Sequence, residues 1–408
     1  MEVGPILATL RRNRFGAILI CVQMALTLAV ICNAVFIIQQ RTLLTRRPSG
    51  TDEANIVAIT NQWVGFPQDL KARVQTDLAS LRALPGVIDV YATNSYPFTG
   101  SGSTAAVYLH PDQTYPTELA AAYNADEHTL RALGLKLIAG RNFTATEVTD
   151  LLPGDIPEPT GLIITRTLAE ELFPQGGAVG RSVYLSLIGG KSVAIVGVVE
   201  KLQVPWVRAG GWGSTFNDNS ILQPFHYYST QYHYLIRVRN GQAATVMTAA
   251  PKRLFDINRS RVLRNIQSLS DARYEAYRDD RAFATILEVV CVAMLAVTAF
   301  GIVGLTSYWV SQRRRQIGIR RALGGTRGAI VRYFQTENFM IALVGSAAGV
   351  ALTLGVNLWT VNTFAMARLP YGYAIAGAFI ILLLGQGATL WPALRASLIS
   401  PALAVRSA

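Results

Sequence analysis

Seven arginines stand between Gln312 and Glu337: Arg313, Arg314, Arg315, Arg320, Arg321, Arg327 and Arg332, with Glu337 the only acid in that stretch. Such a cluster binds anions. On a helix at 100° per residue, Arg313, Arg314, Arg320 and Arg321 fall in a sector of about 120° with Ile317 near its middle, and Arg315, Ile319 and Ala322 fall opposite. Four cations around one apolar side chain suit an acidic groove on a partner. Anionic lipid headgroups suit them too, at about 1 kcal/mol per cation. Gly324 and Gly325 stop this helix, and Thr326 can cap the next. Ala329 leaves no capping box.

No other constellation supplies chemistry. Gly189-Gly190-Lys191-Ser192 looks like the end of a phosphate loop. The form GxxxxGK(S/T) needs glycine at 185, where Leu185 stands, and should open a helix. A β-like run follows instead, so the stretch reads as a hairpin turn. The four histidines are His110, His128, His226 and His233. His226 and His233 sit among Tyr227, Tyr228, Tyr232 and Tyr234 at a spacing that fits neither HExxH nor a zinc finger, so surface or packing roles are expected and no metal. The tyrosines fit a half-buried sheet face or a partner surface. No nucleophile–base pair is present, and the chain is not expected to be an enzyme.

The net charge is +12, unevenly placed. Residues 1–40 and 282–408 carry 13 of the 37 Lys and Arg against three acids, whereas residues 41–281 carry 24 basic against 22 acidic residues. The excess therefore flanks the apolar segments and orients them, which argues against nucleic-acid binding. Cys21, Cys32 and Cys291 all lie in apolar segments. The polar middle has neither a disulfide framework nor a cysteine metal site, and at about 240 residues it can hold an ordinary core.

Residues 15–38 form an apolar run broken only by Gln23, Thr27 and Asn33, long enough for an uncleaved span. Further spans are expected at 281–310, 339–360 and 374–394. Arg11, Arg12, Arg14, the seven loop arginines, Arg395 and Arg406 place both termini and the loop inside, against seven basic residues near the outer span ends, Arg41, Arg46 and Arg47 among them. Strands are expected at 55–60, 87–93, 161–165, 182–187 and 192–199. Leu70, Val74, Leu78, Leu81 and Leu84 give one helix face, and 168–173 and 242–258 are also helical. Residues 151–161 form a proline-rich loop, and 204–220 an aromatic, glycine-rich one with Trp206, Gly210, Gly211, Trp212 and Gly213. In 260–280, Leu263, Ile266, Leu269, Tyr274 and Tyr277 predict a stalk helix continuous with the second span. Gly345 and Gly349 form a small-xxx-small pair suited to close packing, or are tolerated membrane glycines. Glu288 is an intramembrane acid or an interfacial one.

The run GIVGLTSYWVSQRRRQIGIRRALGGTRGAIVRYFQTE resembles the segment after the second span in MacB/FtsX-type ABC transporter permeases. Gly301, Gly304, Arg313, Arg315, Ile317, Gly318, Ile319, Arg320, Ala322, Leu323, Gly324 and Glu337 carry the pattern. Pro392, Arg395, Ala396, Pro401 and Arg406 are similar to the family's closing motif. In the polar middle, LPGV (84–87), LGLKLIAGRNF (133–143), LAEELFP (168–174), AVGRSV (178–183) and VAIVGVV (193–199) resemble its periplasmic core. The likeness runs through nearly the whole chain. Gln316 stands where the family usually has Glu and Gly325 where it usually has Ala, as in a divergent member or the weaker half of a heterodimeric pair.

The resemblance implies an α-helical membrane protein with four transmembrane helices and a large α+β periplasmic domain inserted between the first and second. Its expected divisions are 1–40 (cytoplasmic N-terminus and first span), 41–259 (periplasmic core of two subdomains), 260–311 (stalk and second span), 312–328 (cytoplasmic coupling loop), 329–364, 373–396 and 397–408 (third span, fourth span and cytoplasmic tail). It implies a bacterial inner-membrane permease coupled to a separate cytoplasmic ABC ATPase, which binds ATP and Mg. The coupling residues would be Arg313, Arg314, Arg315, Gln316, Ile317, Gly318, Arg320, Arg321, Leu323 and Gly324. Gly301, Gly304, Gly345 and Gly349 would pack helices in the membrane. Further expected partners are a second permease subunit, a periplasmic adaptor, an outer-membrane channel and membrane lipids. The expected function is export of a substrate such as an antibiotic, peptide, lipid or lipoprotein. The alternatives are FtsX-like regulation of a periplasmic hydrolase, or an ATP-independent membrane-anchored scaffold or sensor.

Overall fold

The computed structural model describes residues 14–185, 191–207, 218–364 and 367–398. Arg11, Arg12, the Gly189-Gly190 turn, the loop glycines Gly210, Gly211 and Gly213, Pro401 and Arg406 lie outside the described residues. The chain divides into two compact units: Arg46–Asp279, and Met1–Thr45 together with Asp280–Ala408.

The first described element is α1 (Arg14–Arg46). The polar unit then begins with β1 (Ile56–Trp63), α2 (Leu70–Arg82) and β2 (Val87–Thr93). Leu70, Val74, Leu78 and Leu81 all turn inward from α2, the face their spacing predicts. The unit continues through β3 (Ser103–Tyr108), β4 (Glu118–Ala125), α3 (Thr129–Leu133), β5 (Leu137–Gly140), β6 (Thr149–Leu151), β7 (Leu162–Thr165) and α4 (Arg166–Leu172). It closes with β8 (Ser182–Leu185), β9 (Ser192–Val199), β10 (Ser220–Tyr227), β11 (Gln231–Val238), α5 (Ala243–Ile257), β12 (Arg261–Ser268) and α6 (Leu269–Ala276).

These elements build two subdomains. One is an antiparallel sheet in the order β12-β1-β11-β2, whose Ile59, Tyr234 and Ile236 share a core with Val74 and Leu81 of α2 and Leu254 of α5. The other follows the path β4-β3-β8-β9-β7-β10, and β10 pairs back onto β4 in parallel from Ser220↔Ala121 to Pro224↔Ala125. That last pairing closes a barrel, which leaves no free edge along the path. A third cluster, including Ile56, Ala58 and Leu235 from the sheet and Tyr123, Ile163 and Leu222 from the barrel, joins the two.

The stalk helix expected over 260–280 is not formed. β12 pairs with β1 from Val57↔Ser268 to Trp63↔Arg261, with a register shift opposite Ala58 and Thr60. Asn265 sits in that shift with φ 49°. The bulge inserts an extra residue between Leu263 and Ile266, so two strand residues fall at a helix-like spacing of three. Burial also decides against a helix, because Arg261 turns inward and forms a fully buried ion pair with Asp77, 2.6 Å away. Helix begins only at Ser268, where Ser268 and Asp271 form a reciprocal capping box. It breaks again at Tyr277 (φ −99°, ψ 12°) before α7 (Arg278–Gln312).

The remaining helices are α8 (Arg314–Ala322), α9 (Arg327–Phe364) and α10 (Tyr371–Ser397). α1, α7, α9 and α10 are each long and apolar enough to cross a membrane. Ile20, Met24, Leu28 and Cys32 of α1 form a core with Ile302 and Trp309 of α7, Ile341 and Ala342 of α9, and Ile381 of α10. The polar residues that interrupt α1 have partners in this bundle. Gln23 donates to the Val297 carbonyl at 3.0 Å, Thr27 meets Thr298 at 2.7 Å, and Asn33 donates to the carbonyls of Ala29 at 2.9 Å and Thr353 at 3.4 Å. In an apolar surround such bonds hold helices together.

Candidate functional site

Helix does not run unbroken from α7 into the arginine stretch. Arg313 takes φ −98°, ψ 12°, and α8 starts one residue later. The break is tight, because the Arg313 N–H still donates to Trp309 O at 3.1 Å and the Ile317 N–H to Arg313 O at 2.9 Å. The cause lies on α9. Arg313 turns inward and its guanidinium donates to both oxygens of Glu337, at 2.8 Å to Oε2 and 3.1 Å to Oε1. Both residues are buried. A bidentate pair of this kind fixes geometry as well as charge.

Ile317, expected as an outward apolar plug, is buried against Ile330 and Phe334 of α9 and Ala393 and Ala396 of α10. Gly318 is buried beside it. Arg321 donates to the Ser397 carbonyl at 2.9 Å, at the end of α10, where the helix dipole favours a cation. Arg320 lies over the Tyr333 ring, 5.3 Å from its centre. Three of the four cations expected on one face, Arg313, Arg320 and Arg321, therefore hold α8 against its own bundle together with Ile317. The opposite face is open: Arg315, Ile319 and Leu323 follow at i, i+4 and i+8, with Leu323 83% exposed. Arg314 and Gln316 are exposed on either side of Arg315. Sequence reasoning missed this reversal, since a wheel with isoleucine on both sides does not say which one is covered.

The helix ends in a Schellman closure. Gly324 has φ 92° and its N–H donates to Arg321 O, while the Gly325 N–H donates to Arg320 O at 3.0 Å. A Cβ at Gly325 would stand 2.7 Å from that same carbonyl oxygen. Thr326 accepts the Ala329 N–H at 3.3 Å and caps α9.

The four packing glycines behave differently. A Cβ at Gly345 would come within 3.1 Å of Cys21 O, and one at Gly349 within 2.8 Å of Leu28 Cδ2, so both lie close against α1. At Gly301 it would meet Gln23 Oε1 at 2.7 Å. At Gly304 nothing among the described residues lies within 4 Å.

The histidine pair does not form one site. His233 is buried, its Nδ1 is 3.0 Å from Thr60 Oγ1, and burial pushes its pKa down to about 4. His226 lies near the surface and stacks with Tyr228, ring centres 6.3 Å apart. Tyr228, Tyr232 and Tyr234 are core residues of the sheet. Tyr277, at the break before α7, is buried in the polar unit and accepts a hydrogen bond from Gln203 at 2.9 Å.

Residues 24–254 match the MacB-like periplasmic core domain, and residues 289–401 match the FtsX-like permease C-terminal domain. A macrolide export ATP-binding/permease protein MacB from Chromobacterium violaceum is 29% identical over 247 residues, which are 56% of this chain and 34% of that protein. An uncharacterised ABC transporter permease, YknZ of Bacillus subtilis, is 24% identical over 341 residues, 81% of this chain and 78% of that protein. The extracellular domain of the ABC-type transporter YknZ from Gram-positive bacteria aligns over 51% of this chain and 100% of that one, at 17% identity and a TM-score of 0.32. The chain spans between about a third and two fifths of the length of the first MacB relatives. With one family description matching more than half of it and the other most of the rest, the chain belongs to the MacB/FtsX-type ABC transporter permeases, multi-pass membrane proteins with a periplasmic core domain.

Proposed function

We propose that this chain is the transmembrane subunit of a MacB-like exporter in a bacterial inner membrane, driven by a separate cytoplasmic ABC ATPase. The polar unit stands between the first and second spans on the periplasmic side, and both termini are cytoplasmic. ATP and Mg are held by the ATPase, and this chain carries out no catalysis itself. A second permease subunit completes the membrane part, and a periplasmic adaptor and an outer-membrane channel receive the substrate. The substrate class is that of the MacB relatives, whose name states macrolide export, or a peptide or lipid of similar amphipathic character.

The observation that carries this reading is the open Arg315–Ile319–Leu323 ridge of α8, an apolar strip flanked by cations on a helix clamped from behind. An exposed ridge on a fixed base suits a docking surface, because little order is lost on binding. ATP-driven motion of the ATPase pushes α8, and the 35-residue helix α7 carries the push to Tyr277. There the chain enters the polar core through a residue bonded to Gln203. The force thus reaches the periplasmic domain at a pinned break.

Isolating the intact complex from its host and identifying its subunits tests this reading. An ABC ATPase together with a periplasmic adaptor is expected. A periplasmic hydrolase in the adaptor's place replaces export with regulation, and the absence of any ATPase overturns the proposal.

A further inference from the structure

The polar unit holds a group of side chains that the transport reading does not use. Asp126 and Glu127 follow β4 directly and lead into α3. β10 runs parallel to β4, and its last paired position, Pro224↔Ala125, leads on to His226 at the same corner. One oxygen from each carboxylate and one ring nitrogen of His226 all lie within 4.8 Å of one another. They face a cleft of about 150 Å³ that Arg82, His128 and Tyr228 also line.

The three side chains keep free ligand capacity. Asp126 is 4% exposed, and its two hydrogen bonds, from the His128 N–H and the Thr129 hydroxyl, both end on Oδ1 at 3.0 Å. Glu127 Oε2 is buried with no hydrogen-bond partner. An unpaired buried carboxylate oxygen is costly to keep. The nearby basic side chains chiefly serve another acid. Arg82 donates to Val90 O at 2.8 Å and lies 3.6 Å from Asp89, and His128 Nδ1 lies 3.0 Å from Asp89. No basic nitrogen among the described residues comes closer to Glu127 than His128 Nε2, at 3.8 Å.

We propose that Asp126, Glu127 and His226 bind one divalent transition-metal ion of the zinc type. Two carboxylates neutralise the dication, and the imidazole selects a transition metal over magnesium or calcium, which prefer oxygen alone. The cleft leaves room for a water or a fourth ligand, the arrangement of an open zinc site. Bonds of about 2.1 Å set tetrahedral ligands about 3.4 Å apart, so the site closes by side-chain shifts on the order of 1 Å. Only Asp126 is tightly buried, which leaves Glu127 and His226 free to make them. The ion would tie the end of β4 to β10, the pairing that closes the barrel.

The test is calorimetric titration of Zn²⁺ into the full-length, untagged chain in detergent. One ion per chain is expected for the wild type. Glu127→Gln and His226→Gln should each lower the affinity by about tenfold or more, and His110→Gln, at an exposed histidine outside the cleft, should leave it unchanged. These two ligand positions are chosen because Asp126→Asn would also disturb the bonds that hold the α3 corner. Circular dichroism of each variant shows that it is folded. No saturable uptake by the wild type, or uptake that both ligand variants leave unaltered, overturns the proposal.

Discussion

Arg313 and Glu337 lie 24 positions apart and form one buried, bidentate ion pair, with Glu337 only 2% exposed. The pair sits where α7 gives way to α8, and it fixes that break to α9. A matching break at Tyr277 begins α7, with nearly the same backbone angles.

Breaking the pair should be costly. Arg313→Ala or Glu337→Ala leaves an uncompensated buried charge, worth about 3–5 kcal/mol, whereas a double replacement by Met and Leu should cost much less. Thermal unfolding of the purified chain in detergent reads the difference. A double variant that loses as much as the two single variants added together would show that the pair is not coupled.

The two departures from the family pattern should respond in opposite ways. Gly325→Ala places a methyl against Arg320 O and should fray the end of α8, seen as faster amide exchange over 318–323. Gly324→Ala, forced to keep φ 92°, should cost on the order of 1 kcal/mol. Gln316→Glu should be neutral or gain about 0.2–0.5 kcal/mol through Arg320 at i+4.

Glycine contacts along α9 give a packing test. Gly349→Leu drives its side chain into Leu28 and Ala25 and should destabilise the bundle by about 1–3 kcal/mol. Gly304→Ala, with open space around it, should change stability by no more than about 1 kcal/mol. Denaturant titration of the two variants in mixed micelles compares them, and equal effects would contradict the α1–α9 contact.

His233 gives the polar unit a pH dependence of definite sign. Burial lowers its pKa from 6.5 to about 4, so the folded state keeps it neutral where the unfolded chain binds a proton. Its contribution to stability is therefore lost as pH falls from about 6.5 towards 4, by up to about 3 kcal/mol in all. His233→Gln should flatten that part of the curve, read by unfolding the chain at about pH 7 and about pH 4.5. An unchanged slope would show that the ring takes up its proton over the same pH range folded and unfolded.

Much of this fold is legible in the chain because the signals are local. The apolar runs give the four long helices, the leucine spacing gives α2, and the short β-like runs give β7, β8 and β9. What escapes is set by residues far apart. β12 imitates a helix because a bulge at Asn265 restores a spacing of three, and only its pairing with β1 shows otherwise. The barrel depends on β10 returning to β4, about a hundred residues back. Which isoleucine of α8 faces outward depends on Phe334 and Ala393, on two later helices. The corner of Asp126, Glu127 and His226 was unreadable for the same reason, since no local motif joins those residues.

Retention of an ABC ATPase on the solubilised permease tests the docking face most directly. Leu323→Asp and Arg315→Glu leave the buried side of α8 intact and should each weaken binding by about tenfold or more, while the conservative Ile317→Val should leave the ATPase bound. Undiminished binding in both surface variants would contradict the assignment of Arg315, Ile319 and Leu323 as the ridge that meets the ATPase.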